Sequence, residues 1–174
     1  MSVIDDRDTI IGKTSEYLHW LTIPKQEFGN MPVCPFLDKE LRDNQLYIDI
    51  WYPHECSFMD IMESFLLSGK NCSLVVCPNT HTIDYSEVSR KDIQRQITDL
   101  LRKNPNTDYL KCMIFSPYED FEVAGIKTRS GAPYFLINVA PTKQLGKSHK
   151  DLTKTKYFDN FTEDEKSRLN VPKK

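Results

Sequence analysis

Residues 46–77, LYIDIWYPHECSFMDIMESFLLSGKNCSLVVC, hold a strand, a helix and a second strand in succession, and their order decides the fold. Leu46, Ile48 and Ile50 alternate with Tyr47, Asp49 and Trp51 up to Pro53, the period of two that predicts a strand over Leu46–Tyr52. Ser57 is placed to cap a helix with Asp60 three residues on. Phe58, Ile61, Met62, Phe65 and Leu66 form its apolar stripe, and Gly69 ends it. Cys72–Cys77 is a short continuous apolar run stopped by Pro78, the pattern of a strand covered on both faces.

Working outward, Ser89–Lys103 repeats the helical signal with Ile93, Ile97, Leu100 and Leu101, and Leu110–Ser116 repeats the buried strand. A connection over Pro117–Ala132 leads to a fourth strand, Pro133–Val139. Thr142 then opens a helix through Leu152, and Thr162-x-x-Glu165 reads as a capping box on a short terminal helix. On the other side, Thr14–Leu21 is a short helix capped by Thr14 and closed by Pro24, and Gln26–Pro35 reads as loop. The expected fold is α/β: a small mixed sheet from a βαβαβ run plus an antiparallel fourth strand added as a hairpin arm, with helices packed on it. The alternative is a ferredoxin-like α+β sandwich built from the same elements.

With 174 residues and no repeat or linker, one domain over 1–174 is expected. The 39% hydrophobic and 28% charged composition fits a folded core rather than a disordered chain. A net charge of -2 from interspersed signs gives no support to nucleic-acid binding. No apolar stretch approaches the length of a membrane span, so no membrane partner is expected. The five cysteines, odd in number and without a Cys-x-x-Cys pair, read as reduced thiols of a cytoplasmic protein, with Cys72, Cys77 and Cys112 in the core. Gly12-Lys13-Thr14 lacks the rest of a phosphate loop.

If the first three strands are parallel, their C-terminal ends bring polar residues to one edge of the sheet, where open α/β folds take ligands. His54, Glu55 and Cys56 arrive there from the first strand, Asn79, His81 and Asp84 from the second, and Tyr118, Glu119 and Asp120 from the third. His81 and His54 are the candidate proton-transfer groups. A metal held by His54, His81 and Glu119 or Asp120, or by His54 with Cys56, is weighed, but the spacing matches no ligand signature, and no metal or other cofactor is assigned. Arg129, between Thr128 and Ser130 in a long loop, is a fork donor for a carboxylate or phosphate; the competing role is an ion pair with Glu119, Asp120 or Glu122. Cys34, in Met-Pro-Val-Cys-Pro-Phe, is held by Pro32 and Pro35 at a fixed angle that suits a nucleophile or a packing turn equally. His19 and His149 are read as packing or surface residues.

Taken together, several segments resemble a bacterial family known as domain of unknown function 1415. They are Trp20, Cys34-Pro35-Phe36, the helix after Ser57, Ser73–Pro78, Phe115-Ser116-Pro117, and Thr128-Arg129-Ser130 before Pro133-Tyr134. That family carries Leu-Cys-Pro-Phe, a strand ending in Pro, Phe-His-Pro and Asn-Arg-Ser-Pro-x-Pro in the same order. Here Val33 stands for the Leu, Ser116 for the His, and Gly131-Ala132 where a Pro would be. The resemblance implies a shared site containing Cys34, Phe115, Arg129 and Tyr134, without the family's histidine.

The functional expectation is an enzyme or ligand-binding domain for an anionic small molecule. Arg129, Tyr134 and Tyr118 would bind it, and His81, His54 and Cys34 would be the catalytic candidates. The alternative is a non-catalytic interaction or regulatory protein, a homo-oligomer among the options, anchored by Trp20, Phe28, Trp51 and Tyr52.

Overall fold

The computed structural model describes residues 4–171. Helix α1 (Arg7–Thr22) leads into a two-stranded ladder, β1 (Pro24–Lys25) and β2 (Met31–Pro32), and then α2 (Pro35–Arg42). The central run is β3 (Leu46–Ile50), α3 (Phe58–Ser68), β4 (Cys72–Cys77), α4 (Arg90–Lys103) and β5 (Leu110–Phe115). A small hairpin, β6 (Glu122–Val123) and β7 (Ile126–Lys127), precedes β8 (Phe135–Pro141), α5 (Thr142–Leu152) and α6 (Glu163–Arg168).

The fold is α/β, with one mixed four-stranded sheet in the order β3-β4-β8-β5. β3 pairs parallel with β4, and β8 runs antiparallel to both β4 and β5, so β3, β4 and β5 all point the same way. The expected antiparallel fourth strand is present, but it is not an outer arm. It is inserted between β4 and β5, which is why Phe135, Ile137 and Val139 on one side and Leu136 and Ala140 on the other are all buried. The period of two then sends alternate residues to two separate cores. Val75, Cys77, Cys112, Ile137 and Val139 pack with α3 and α4, while Leu74, Val76, Leu136 and Ala140 pack with α1, α2 and the C-terminal segment. The result is three layers, helix on sheet on helix.

Two expectations need correction at the N-terminal end. α1 begins at Arg7, because the Asp6 carboxylate accepts a hydrogen bond from the Thr9 amide at 2.8 Å; Thr14 lies mid-helix and buried rather than at a cap. The stretch Gln26–Pro35 is not simple loop: a 3-10 turn over Gln26–Phe28 sits inside the β1-β2 ladder, and Pro35 starts α2 instead of ending a segment. α3 and α4 start where their serines place them, α3 with the full reciprocal capping box between Ser57 and Asp60.

Candidate functional site

The site is built on the face of β5. Lys111, Met113 and Phe115 occupy alternate positions of that strand and line a cavity of about 500 Å³, while Leu110 and Cys112 point into the opposite core. Its far walls are Phe121 and Arg129 from the segment between β5 and β8, Cys34 from the start of α2, His149 from α5, and an aromatic cluster of Phe28 from the 3-10 turn with rings of the C-terminal segment. In that cluster Phe28, Tyr157, Phe158 and Phe161 meet edge-on or tilted with centroids 4.9 to 5.6 Å apart, a rigid apolar wall.

The segment carrying Arg129 is fixed at several points. Ala124 and Gly125 both have positive φ, 50° and 77°, which closes β6 on β7 with a two-residue turn whose twist matches the strands. The Ala124 amide donates to Glu165 of α6 at 2.9 Å, and the Ser130 hydroxyl donates to the Phe121 carbonyl at 3.2 Å. Two tyrosines then act as struts beneath the site residues. The Tyr17 hydroxyl donates to the carbonyl of Thr128, next to Arg129, at 2.6 Å, and the Tyr157 hydroxyl donates to the carbonyl of Val33, next to Cys34.

Arg129 lies with its guanidinium carbon 4.4 Å from the centroid of the Phe121 ring, a cation-π contact, and makes no ion pair or side-chain hydrogen bond with a described residue. None of the expected carboxylate partners takes it: Glu119 pairs with Arg90 at 2.6 Å and Asp120 with Lys127 at 3.6 Å. Burial pulls the Arg129 pKa down, and the neighbouring Arg90 charge adds to that effect. The residues lining the cavity include Arg90, Lys111, Arg129 and Arg168 and no Asp or Glu.

Cys34 borders this cavity and also a smaller apolar chamber of about 30 Å³ beneath it, between Leu18, Leu74 and Leu136. The thiol sits at the N-terminus of α2, where the amides of Leu37 and Phe36 and the charge of Arg129 favour the thiolate, but burial outweighs them and pushes its pKa up. A protonated thiol is a weak nucleophile, so the catalytic role expected of Cys34 receives no help from its surroundings.

The condition for the sheet-edge convergence holds, since β3, β4 and β5 point the same way, but the two histidines at that edge are exposed. His54 is an exposed turn residue 3.6 Å from Glu55, and His81 is exposed in the loop after β4. Tyr118 is 45% exposed, beside Asn79 and Asp84, whose own hydrogen bond at 2.9 Å belongs to that loop's turn. Tyr134 is buried outside the cavity, where its hydroxyl donates at 2.6 Å to Asp5, which also pairs with Lys13 at 2.7 Å. The four residues expected to share a site thus divide, with Cys34, Phe115 and Arg129 on one cavity wall and Tyr134 elsewhere. Among the described residues no group of His, Cys, Asp and Glu is arranged to hold a metal, so the candidate site of His54, His81, Cys56, Glu119 and Asp120 is not assembled.

The proposed anchors of an interaction surface are likewise not an exposed patch. Phe28 is buried, Trp20 lies half-buried under Lys25, and Trp51 is half-buried with its indole nitrogen donating to the Cys56 carbonyl at 3.0 Å; Tyr52 packs against the core on the α1 and α2 side of the sheet. No described helix is long and apolar enough to cross a membrane.

Arg90, Lys111, His149 and the C-terminal aromatics were missed by sequence reasoning. The signal for Lys111 was in the text: at period two it shares a face with Met113 and Phe115. His149 stacks on Phe158 at 5.7 Å with its Nε2 buried and unpartnered, and burial, then the charge of Lys111, lowers its pKa.

Fold and site together define a three-layer α/β protein with a cavity whose wall is apolar and bears Arg129 and Lys111 without ion-pair partners among the described residues. Its particular relatives do not show themselves: no family model matches the chain, and neither a curated protein nor a solved structure does.

Proposed function

We propose that the protein binds an amphipathic anion, with its carboxylate or phosphate-type group on Arg129 and its apolar body along Met113, Phe115 and the aromatic wall. The observation that carries this is a half-buried guanidinium in a cavity of about 500 Å³ with no carboxylate in its lining. Placing a cation in an apolar wall costs free energy that a fitted anion returns through charge-assisted, two-pronged hydrogen bonds. The cavity lies within the usual size range for small-molecule sites. Five unpaired cysteines fit a reducing compartment, so we place this activity in the cytoplasm. Binding, rather than catalysis, is the reading we adopt, since burial works against a thiolate at Cys34.

Isothermal titration with dodecanoate tests this. A saturable single site is expected, weakened roughly tenfold or more by Arg129→Gln and less by Arg129→Lys, with circular dichroism unchanged. No binding to the wild-type chain, or equal binding to the folded Arg129→Gln variant, overturns it.

A further inference from the structure

The cavity has two ends, and each carries a cation that makes no ion pair with a described residue. Arg129 marks the end beyond the C-terminus of β5. It stacks on Phe121 and feels the charges of Arg90 and Glu119, which pair at 2.6 Å just past Phe115. Lys111 marks the other end, near the start of β5, where Thr142 at the head of α5 donates its amide to the Tyr109 carbonyl at 3.0 Å and where the Lys111 charge reaches His149. The Lys111 ammonium makes no ion pair or hydrogen bond with a described residue. Between the two ends the floor is apolar: Met113 and Phe115, continuing Lys111 on the same side of the strand. Lys111 and Phe115 are four residues apart, about 13 Å at the usual strand rise.

A molecule with one charged head would engage Arg129 and leave the exposed Lys111 ammonium, at the cavity's other end, to water. We infer that the cavity takes an elongated dianion, an α,ω-dicarboxylate or its equivalent, with one anionic group at Arg129, the other at Lys111, and an apolar body along Met113 and Phe115. This rests on the amphipathic-anion reading and sharpens it. The span between the cations then selects length. Short dicarboxylates reach only one end, and chains much longer than the span have to fold back or leave an end in water. Opposite charge at both ends also fixes the body against the aromatic wall, which a single contact would leave free to pivot.

The experiment is a titration of the intact chain with the series from hexanedioate to hexadecanedioate alongside dodecanoate. The expected result is an affinity maximum at intermediate length, near dodecanedioate, about tenfold or more above dodecanoate. Lys111→Gln should weaken dodecanedioate about tenfold or more and dodecanoate by clearly less, and Arg129→Gln should weaken both ligands. Equal affinity for dodecanoate and dodecanedioate overturns the two-headed site and leaves the single-anion reading standing. So does a Lys111→Gln effect of the same size on both. Failure of every carboxylate to bind overturns the single-anion reading as well.

Discussion

Arg129 rests its charge on an aromatic ring instead of a carboxylate, and Cys34 sits beside it with its proton retained by burial. These two residues carry opposite lessons about spacing. Arg129 was legible as a fork donor in a long loop, with an ion pair as its competing role; the structure places it on a cavity wall without that pair. Cys34 was legible as a fixed thiol, but its protonation depends on walls contributed by residues more than a hundred positions away, which no local pattern reports. At neutral pH the Cys34 thiol should therefore react with iodoacetamide more slowly than a free cysteine. Dodecanoate should slow it further, read by mass spectrometry of the alkylated peptide. Alkylation as fast as free cysteine would show that burial does not dominate. The histidines illustrate the converse: His54 and His81 looked chemical because they follow strands, yet both stand in water, while His149, passed over as packing, is the one on the cavity wall.

Elements were readable in proportion to how local their determinants are. α3 and α4 carry cap, stripe and stop within their own residues, so both began where Ser57 and Ser89 indicate. The reading of Gln26–Pro35 as loop leaves no helix after it, although proline at a first helical position costs no hydrogen bond. The pairs Lys39–Asp43 and Arg42–Asp38, at 3.0 Å each, were the local sign of a helix. The 3-10 turn ending at Gly29 matters beyond its size. Gly29 has φ of 64°, and a β-carbon there would lie 2.5 Å from the Lys156 carbonyl oxygen, backbone on both sides of the contact. Gly29→Ala is expected to destabilise the protein by about 2 to 3 kcal/mol in urea denaturation and to weaken dodecanoate binding, because the strained seam carries Phe28 and Tyr157 of the aromatic wall. Unchanged stability would mean that this seam yields easily.

At the scale of the whole molecule, one half-buried histidine, His149, ties stability to pH. The folded-state pKa of His149 lies below its unfolded value because burial and Lys111 both oppose the charge. Above the unfolded value near 6.5 both states are neutral there and no difference arises; as pH falls through it, the unfolded chain takes up a proton the folded one resists. Stability is expected to decline from about pH 6.5 downward and to level off below the folded value, and His149→Gln should flatten that part of the profile in thermal melts. The sheet order was the part of the fold least open to sequence. Nothing inside Phe135–Pro141 says which two strands it will lie between, since an apolar run covered on both faces fits any interior position. That placement has a temporal side. During synthesis β3, β4 and β5 are all made before the strand that separates β4 from β5, so a nascent chain carries two open ladder edges until residue 141 has been added. Ribosomes adding about 5–20 residues per second leave those edges exposed for seconds. The growing chain thus passes through an interval in which its unfinished sheet is open to pairing with other chains.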